Sequence, residues 1–177
     1  MRIINGKYKN RRFNISKNIN IRPTTDRAKE SLFNILDNMH NLEKSKVLDL
    51  FSGSGNISYE FYSRGSDVTS VELNRKCIKL IKENCEKFNM NINIKQTNVF
   101  SFLNSCDDSY DVIFADPPFK FTKDKYEKII KLIFENQIIA KHGVVIIEHS
   151  DFINFENYKN FLKSRKYGDV NFSFLNN

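Results

Sequence analysis

The chain has few of the groups that build metal or thiol chemistry. Its three cysteines, Cys77, Cys85 and Cys106, are odd in number and have no Cys-x-x-Cys or Cys/His spacing. That excludes a disulfide scaffold or a zinc ribbon and fits reduced thiols in a cytoplasmic protein. His40, His142 and His149 are scattered, so neither a metal site nor a His-based nucleophilic triad is expected. Long hydrophobic runs are missing as well. The longest wholly apolar stretches, such as Val144 to Ile147, are strand-sized and far short of a membrane span. Residues Met1 to Ile21 have no apolar core of the kind a signal peptide needs. No internal repeat and no Pro/Gly/Ser-rich linker divides the chain. A soluble protein with no membrane partner is expected.

What is present suits one globular domain: 177 residues with 40% hydrophobic content are enough to bury a core without staples. The excess of 28 Lys+Arg over 21 Asp+Glu, a formal charge of +7, favours a polyanionic partner such as nucleic acid. Residues 1–21 carry short alternating stretches around Asn5-Gly6 and a basic cluster, Lys7, Lys9, Arg11 and Arg12, interrupted by Tyr8 and Phe13. They read as a basic β-hairpin arm whose cations hold RNA phosphates. Residues 22–177 read as the main domain. Thr24 or Thr25 can cap a helix reaching about Met39, with Ala28, Leu32, Phe33, Ile35 and Leu36 on its apolar face.

From Lys46 onward, short apolar runs alternate with helical patterns. Strands are expected at Val47 to Phe51, Val68 to Leu73, Ile92 to Gln96, Val112 to Ala115 and Val144 to Glu148. Helices are expected at Ser54 to Ser63, Asn74 to Phe88, near Phe100 to Leu103, and at Tyr126 to Phe134. The right-handed crossover rule turns this alternation into an α/β fold, a mostly parallel sheet with helices on both faces. Phe155 to Lys166 fits either a short helix or a strand. Tyr167-Gly168-Asp169 reads as a turn before a closing antiparallel strand, Val170 to Leu175.

The run Val47-Leu48-Asp49-Leu50-Phe51-Ser52-Gly53-Ser54-Gly55 is an apolar strand that breaks into a glycine-rich turn and then a helix. Open α/β sheets bind ligands at such a junction. Gly53 and Gly55 let the backbone approach a ligand closely. Glu72, at the end of the next strand, is placed to accept both ribose hydroxyls. A nicotinamide dinucleotide asks for a third glycine where Ser58 stands. S-adenosylmethionine has no phosphate and carries an ammonium and a sulfonium, so Asp49 beside the glycine turn suits it better. In Gln96-Thr97-Asn98-Val99-Phe100, at the place expected for the adenine ring, the Asn98 carbonyl oxygen can accept from the adenine amino group.

Asp116-Pro117-Pro118-Phe119 follows the strand ending at Ala115, beside the glycine loop. The two prolines lack amide hydrogens and fix the direction of Asp116 and of the carbonyls that follow. An exocyclic base amine is a poor nucleophile because its lone pair is delocalised into the ring. If Asp116 and the Pro117 carbonyl accept its two hydrogens, they favour the pyramidal amine and stabilise the charge developing on nitrogen. Phe119 can stack on a base taken out of its helix.

These residues, together with Arg22-Pro-Thr-Thr-Asp-Arg-Ala-Lys-Glu-Ser-Leu-Phe-Asn-Ile-Leu36, Leu48-Asp-Leu-Phe-Ser-Gly-Ser-Gly55, Ser63-Arg-Gly65, Val71-Glu72 and Arg2-Ile-Ile-Asn-Gly-Lys-Tyr8, resemble the RsmD-type bacterial 16S rRNA guanine-N2 methyltransferases. The likeness runs to Tyr167-Gly168 and covers essentially the whole chain. It implies a class I, Rossmann-like methyltransferase fold with a seven-stranded sheet. It also implies S-adenosylmethionine as donor, S-adenosylhomocysteine as product, and a guanine of 16S rRNA, within the small ribosomal subunit, as substrate.

The resemblance further implies that Arg22, Pro23 and Thr24 lie over the cofactor. The expected cofactor site is therefore Arg22, Pro23, Thr24, Asp49, Phe51, Gly53, Gly55, Glu72, Leu73, Asn98, Val99 and Asp116, with Asp116, Pro117, Pro118 and Phe119 at the reacting centre. The family usually carries Asp where this chain has Asn98. A monomer is expected. An adenine-N6 or cytosine-N4 DNA methyltransferase is the alternative enzyme, since Asp-Pro-Pro-aromatic serves any exocyclic amine. A non-catalytic RNA-binding assembly factor on the same fold is the alternative outside enzymology.

Overall fold

A computed structural model describes residues 2–13 and 24–177. Helix α1 (Asp26–Met39) starts where it does because Thr25 is extended and its hydroxyl oxygen accepts the Ala28 amide at 3.2 Å. Such a cap contributes about 1 kcal/mol. The Ala28, Leu32, Phe33 and Leu36 stripe of α1 is buried. The chain then alternates through β1 (Lys46–Leu50), α2 (Asn56–Ser63), β2 (Asp67–Glu72), α3 (Arg75–Phe88), β3 (Asn93–Gln96), α4 (Val99–Asn104), β4 (Tyr110–Ala115), α5 (Lys123–Glu135) and β5 (Ile139–His149).

The strands form one seven-stranded sheet in the order β3-β2-β1-β4-β5-β7-β6, closed by β6 (Phe161–Tyr167) and β7 (Val170–Asn176). Strands β1 to β5 pair in parallel, and β7 runs antiparallel between β5 and β6. Along β4, Val112 and Phe114 enter the core under α1 to α3, while Ile113 and Ala115 enter the core under α4 and α5. Both faces are covered, which is why β4 reads as an unbroken apolar run rather than an alternating one.

The ambiguous segment Phe155 to Lys166 divides into turns and a strand. Phe155 is buried among α5-side residues, and the β6 backbone from Phe161 pairs with β7. Its Lys and Arg side chains suit an edge strand, where one flank stays in water. The β6–β7 turn, with Gly168 at φ 61°, lies at the same sheet end as the carboxyl ends of the parallel strands.

Over residues 2–13 the basic segment is a series of turns closed by a single antiparallel bridge, Arg2 with Arg12. Ile3, Tyr8 and Phe13 belong to the main core, and Phe13 stacks on Tyr59 with ring centroids 4.2 Å apart. The Gly6 turn presses on the last residue of α2: the Lys7 amide donates to the Ser63 carbonyl at 2.7 Å, and a Cβ on Gly6 would stand 1.9 Å from that oxygen. Lys7, Lys9, Arg11 and Arg12 are exposed on this docked segment, with the Arg11 guanidinium over the Tyr8 and Phe88 rings. Residues 14–21 of the expected arm lie outside the described residues, as do Arg22 and Pro23.

Candidate active site

Strands β1 and β4 are neighbours at the point where the strand order reverses, and the glycine turn and the Asp-Pro-Pro-Phe segment leave their carboxyl ends side by side. In the glycine turn, Phe51, Gly53 and Gly55 all have positive φ, at 61°, 52° and 80°. Phe51 is held in this conformation, rare for a bulky side chain, with its ring edge-on to Phe121. At Gly55 a Cβ would lie 2.7 Å from the Tyr59 ring, so the turn that starts α2 admits only glycine without strain.

Glu72 ties this turn to the next strand. Its carboxylate accepts the Gly53 amide at 2.9 Å and the Leu73 and Asn74 amides at 2.8 and 2.7 Å. Three of its roughly four acceptor positions are thus taken by backbone. Receiving both hydroxyls of a ribose requires the Leu73 or the Asn74 amide to yield one position. Leu73 itself is 60% exposed, whereas Val99 is buried.

Asn98 differs from its expected role at the level of the atom. Its carbonyl oxygen caps α4, accepting the Phe100 amide at 2.9 Å and the Ser101 amide at 3.4 Å. An oxygen used in this way is no longer the natural partner of an adenine amine. The other end of the side chain is a donor, which matches a ring nitrogen of adenine instead.

Asp49 lies beneath the turn, 1% exposed, accepting a short 2.5 Å hydrogen bond from the Ser58 hydroxyl. Burial, with repulsion from Glu72 adding to it and the Ser58 bonds opposing it, pushes its carboxyl up to about 7. A pocket of about 50 Å³ opens here between Thr24, the glycine turn, Asn56 and Asp116. Its walls hold two carboxylates and no cation among the described residues. That donor set fits a ligand bearing an ammonium and a sulfonium and disfavours a pyrophosphate.

A second, larger cavity of about 390 Å³ adjoins it, sharing Thr24 and Asp116 as walls. It is bounded by the start of α1, by Asp116 and Phe119 after β4, by Glu148 at the end of β5, and by the β6–β7 turn. Pro117 is buried, while Phe119 is 51% exposed at the rim. The Phe121 amide donates to the Pro118 carbonyl at 2.8 Å and closes a turn behind Phe119. Burial, then repulsion from Glu148 and from Asp49, push the Asp116 carboxyl well above the ordinary carboxylate range.

Sequence reasoning missed four groups here: Glu148, Arg27, Lys166 and Lys29. Arg27 and Lys166 line the cavity, Lys166 with its ammonium paired to Asp151, whereas Lys7 and Tyr8 dock near the far end of α2 from the glycine turn. Eight residues of helix separate those two places by roughly 12 Å. Lys29 is fully buried, 3.0 Å from Glu60, 2.9 Å from the Asn56 amide oxygen and 2.7 Å from the Arg2 carbonyl. The Asn56 amide nitrogen in turn donates to the Thr24 carbonyl at 3.1 Å. One buried cation therefore ties the N-terminal segment, α2 and the wall shared by both pockets. The i, i+4 spacing of Asn56 and Glu60 was the available signal; what they face was not visible in the sequence.

A family model described as Conserved hypothetical protein 95 matches residues 1–176. The chain belongs to this family, the RsmD family. It is similar to Ribosomal RNA small subunit methyltransferase D of Buchnera aphidicola subsp. Baizongia pistaciae, 37% identical over 156 residues that cover 87% of this chain and 78% of that one. It is also similar to the protein of the same name in Haemophilus influenzae, 31% identical over 188 residues, covering 100% and 94% of the two chains. Among solved structures, yhhF from Escherichia coli superposes with a TM-score of 0.86 at 26% identity, covering 99% of this chain and 97% of that one. The family's fold, a class I Rossmann-like methyltransferase, is the fold described above. Among the described residues no group of three or more His, Cys, Asp or Glu could hold a metal, and no helix is long and apolar enough to cross a membrane.

Proposed function

We propose that this protein transfers a methyl group from S-adenosylmethionine to the exocyclic N2 of a guanine in 16S rRNA, within the small ribosomal subunit. The observation that carries the reading is the shared wall: Thr24 and Asp116 line both the acidic pocket beside the glycine turn and the larger cavity next to it. The charged end of a donor entering the first and a base held in the second meet at Asp116.

S-adenosylmethionine, when bound, supplies an electrophilic methyl group on a sulfonium, and the rest is done by the chain. Asp49 answers the donor's ammonium, and Glu72 its ribose. Asp116 and the Pro117 carbonyl accept the hydrogens of the base amine, aim its lone pair, and stabilise the positive charge that grows on nitrogen. Once methylated, the amine is acidic enough to lose its proton to water, with Asp116 placed to guide it. Phe119 stacks on the extruded base. Lys7, Lys9, Arg11 and Arg12 hold RNA phosphates away from the reacting centre, and Arg22 and Pro23 cover the cofactor with Thr24. S-adenosylhomocysteine leaves as product. The enzyme acts as a cytoplasmic monomer without a metal.

The relatives' names, Ribosomal RNA small subunit methyltransferase D, support the RNA class, and the likeness of Arg22 to Leu36 to the RsmD type supports guanine N2. The test offers labelled S-adenosylmethionine with stripped rRNA, small subunits or duplex DNA, followed by nucleoside analysis. Labelled N2-methylguanosine from small-subunit RNA is expected. N6-methyladenosine or N4-methylcytosine in its place would sink the assignment, and no label in any substrate would favour the assembly-factor alternative.

A further inference from the structure

The chemistry above uses Asp116 and the Pro117 carbonyl and gives no part to Glu148, although Glu148 belongs to the same cavity. The parallel register of β4 and β5 ends with Ala115 opposite Ile147. The next residues, Asp116 and Glu148, are therefore neighbours at the carboxyl end of the sheet and on the same face. Glu148 is 5% exposed and accepts from the Thr24 hydroxyl at 3.3 Å, which holds it against the wall common to both pockets. The two carboxyls also sense each other, since Glu148 is the foremost charge acting on Asp116.

Repulsion from Glu148 makes Asp116 hard to ionise, and a ligand edge with donors in a row favours the ionised pair, in which both carboxylates are acceptors only. The bases differ on this point. Guanine presents N1–H directly beside its N2 amine. Adenine and cytosine present an amine beside a ring nitrogen whose lone pair would face the second carboxylate. An acceptor set against an acceptor in a buried site loses a hydrogen bond and adds repulsion.

We propose that Glu148 is a specificity-determining residue that accepts the N1–H of the target guanine while Asp116 accepts a hydrogen of its N2 amine. The assignment rests on the guanine-N2 reading above and extends it by naming the group that tells guanine from other bases. Asp116 on its own serves any exocyclic amine; Glu148 beside it does not.

The experiment uses small-subunit RNA carrying either guanosine or 2-aminopurine ribonucleoside at the methylated position. 2-Aminopurine keeps the N2 amine but has a lone pair at N1. Methyl transfer by the full-length wild type should favour guanosine by about 10²-fold in kcat/KM, the scale of one buried acceptor left without its donor. Glu148→Gln replaces one acceptor with a donor that suits the N1 lone pair, so the preference should narrow to about tenfold or less as guanosine turnover falls.

Equal wild-type turnover of the two substrates overturns the proposal without needing the variant to fold. An equal loss on both substrates in Glu148→Gln also overturns it, because a residue that only supports the wall cannot tell them apart. A wild type that methylates neither substrate, yet labels another base in the same RNA, contradicts the guanine-N2 reading itself.

Discussion

The two pockets that meet at Asp116 are built in different ways. The smaller one, about 50 Å³, is drawn mostly from one continuous stretch, Asp49 to Ile57, and is acidic and tightly bonded to itself. The larger, about 390 Å³, is assembled from four separate pieces of chain, and its lining mixes Arg27 and Lys166 with Asp116, Glu148 and Asp169. The first is mostly one strand, turn and helix in order, completed by Thr24 before α1 and by Phe114 and Asp116 at the end of β4. The second exists only when α1, β4, β5 and the β6–β7 turn have all reached their places. A mostly local unit can receive the charged end of a donor, whereas discrimination among bases requires groups brought from distant parts of the chain.

If the two pockets do separate work, substitutions should affect one without the other. The largest effect is expected from Asp116→Ala, which should lower kcat by about 10²- to 10³-fold, as for one lost transition-state acceptor, while calorimetric cofactor affinity falls by about tenfold at most, because Asp116 also walls the donor pocket but Asp49 remains there. Parallel loss of cofactor binding would break the distinction between the pockets. Gly55→Ala is the converse. With φ at 80° and the new Cβ 2.7 Å from the Tyr59 ring, it should cost about 1–3 kcal/mol of stability in denaturant titration and weaken cofactor binding, leaving the affinity for RNA unchanged.

Asp49 sharpens the same contrast through pH. Its folded-state carboxyl titrates at about 7, above the 3.8 of an unperturbed aspartate. The folded protein therefore holds this proton more tightly than the unfolded chain does. The stabilising contribution is complete below about 3.8 and is lost as pH rises through about 7. A cationic donor needs the ionised form, so its affinity should be about tenfold weaker at about pH 6 than at about pH 7.5. Asp49→Asn should flatten that profile. The smallest effect is expected at the docked N-terminal segment. Charge reversal at Lys7 and Lys9 should leave cofactor binding intact and reduce the salt slope of RNA affinity by about 0.7 to 0.9 for each phosphate that is no longer neutralised.

How each pocket is built also explains what the sequence disclosed. The glycine turn, Asp49, Glu72 and the Asp-Pro-Pro-Phe segment are local signals at strand ends, and parallel β-strands alternating with helices put those ends on one edge. The strand Val112 to Ala115 and the capped helix from Asp26 were legible for the same reason, since periodicity and a side-chain cap act over a few residues. Glu148 carries no local mark: it is the last acidic residue of an apolar strand, and only the β4–β5 register sets it beside Asp116. Lys29 reads as a surface residue of an amphipathic helix until Glu60 and Asn56 are seen to meet it. The capping use of Asn98 was equally hidden, because Asn serves an adenine contact and a helix start with the same oxygen. The segment Phe155 to Lys166 stayed ambiguous because an edge strand needs alternation on only one flank.

The central claim is that methyl transfer to guanine N2 occurs at Asp116, where the two pockets meet. It is tested most directly by mapping N2-methylguanosine in 16S rRNA from cells that lack this protein and from the same cells supplied with wild type or with Asp116→Ala. One N2-methylguanosine should be absent without the protein, restored by the wild type and not restored by Asp116→Ala. An unchanged N2-methylguanosine map in its absence, or full restoration by Asp116→Ala, would contradict the account.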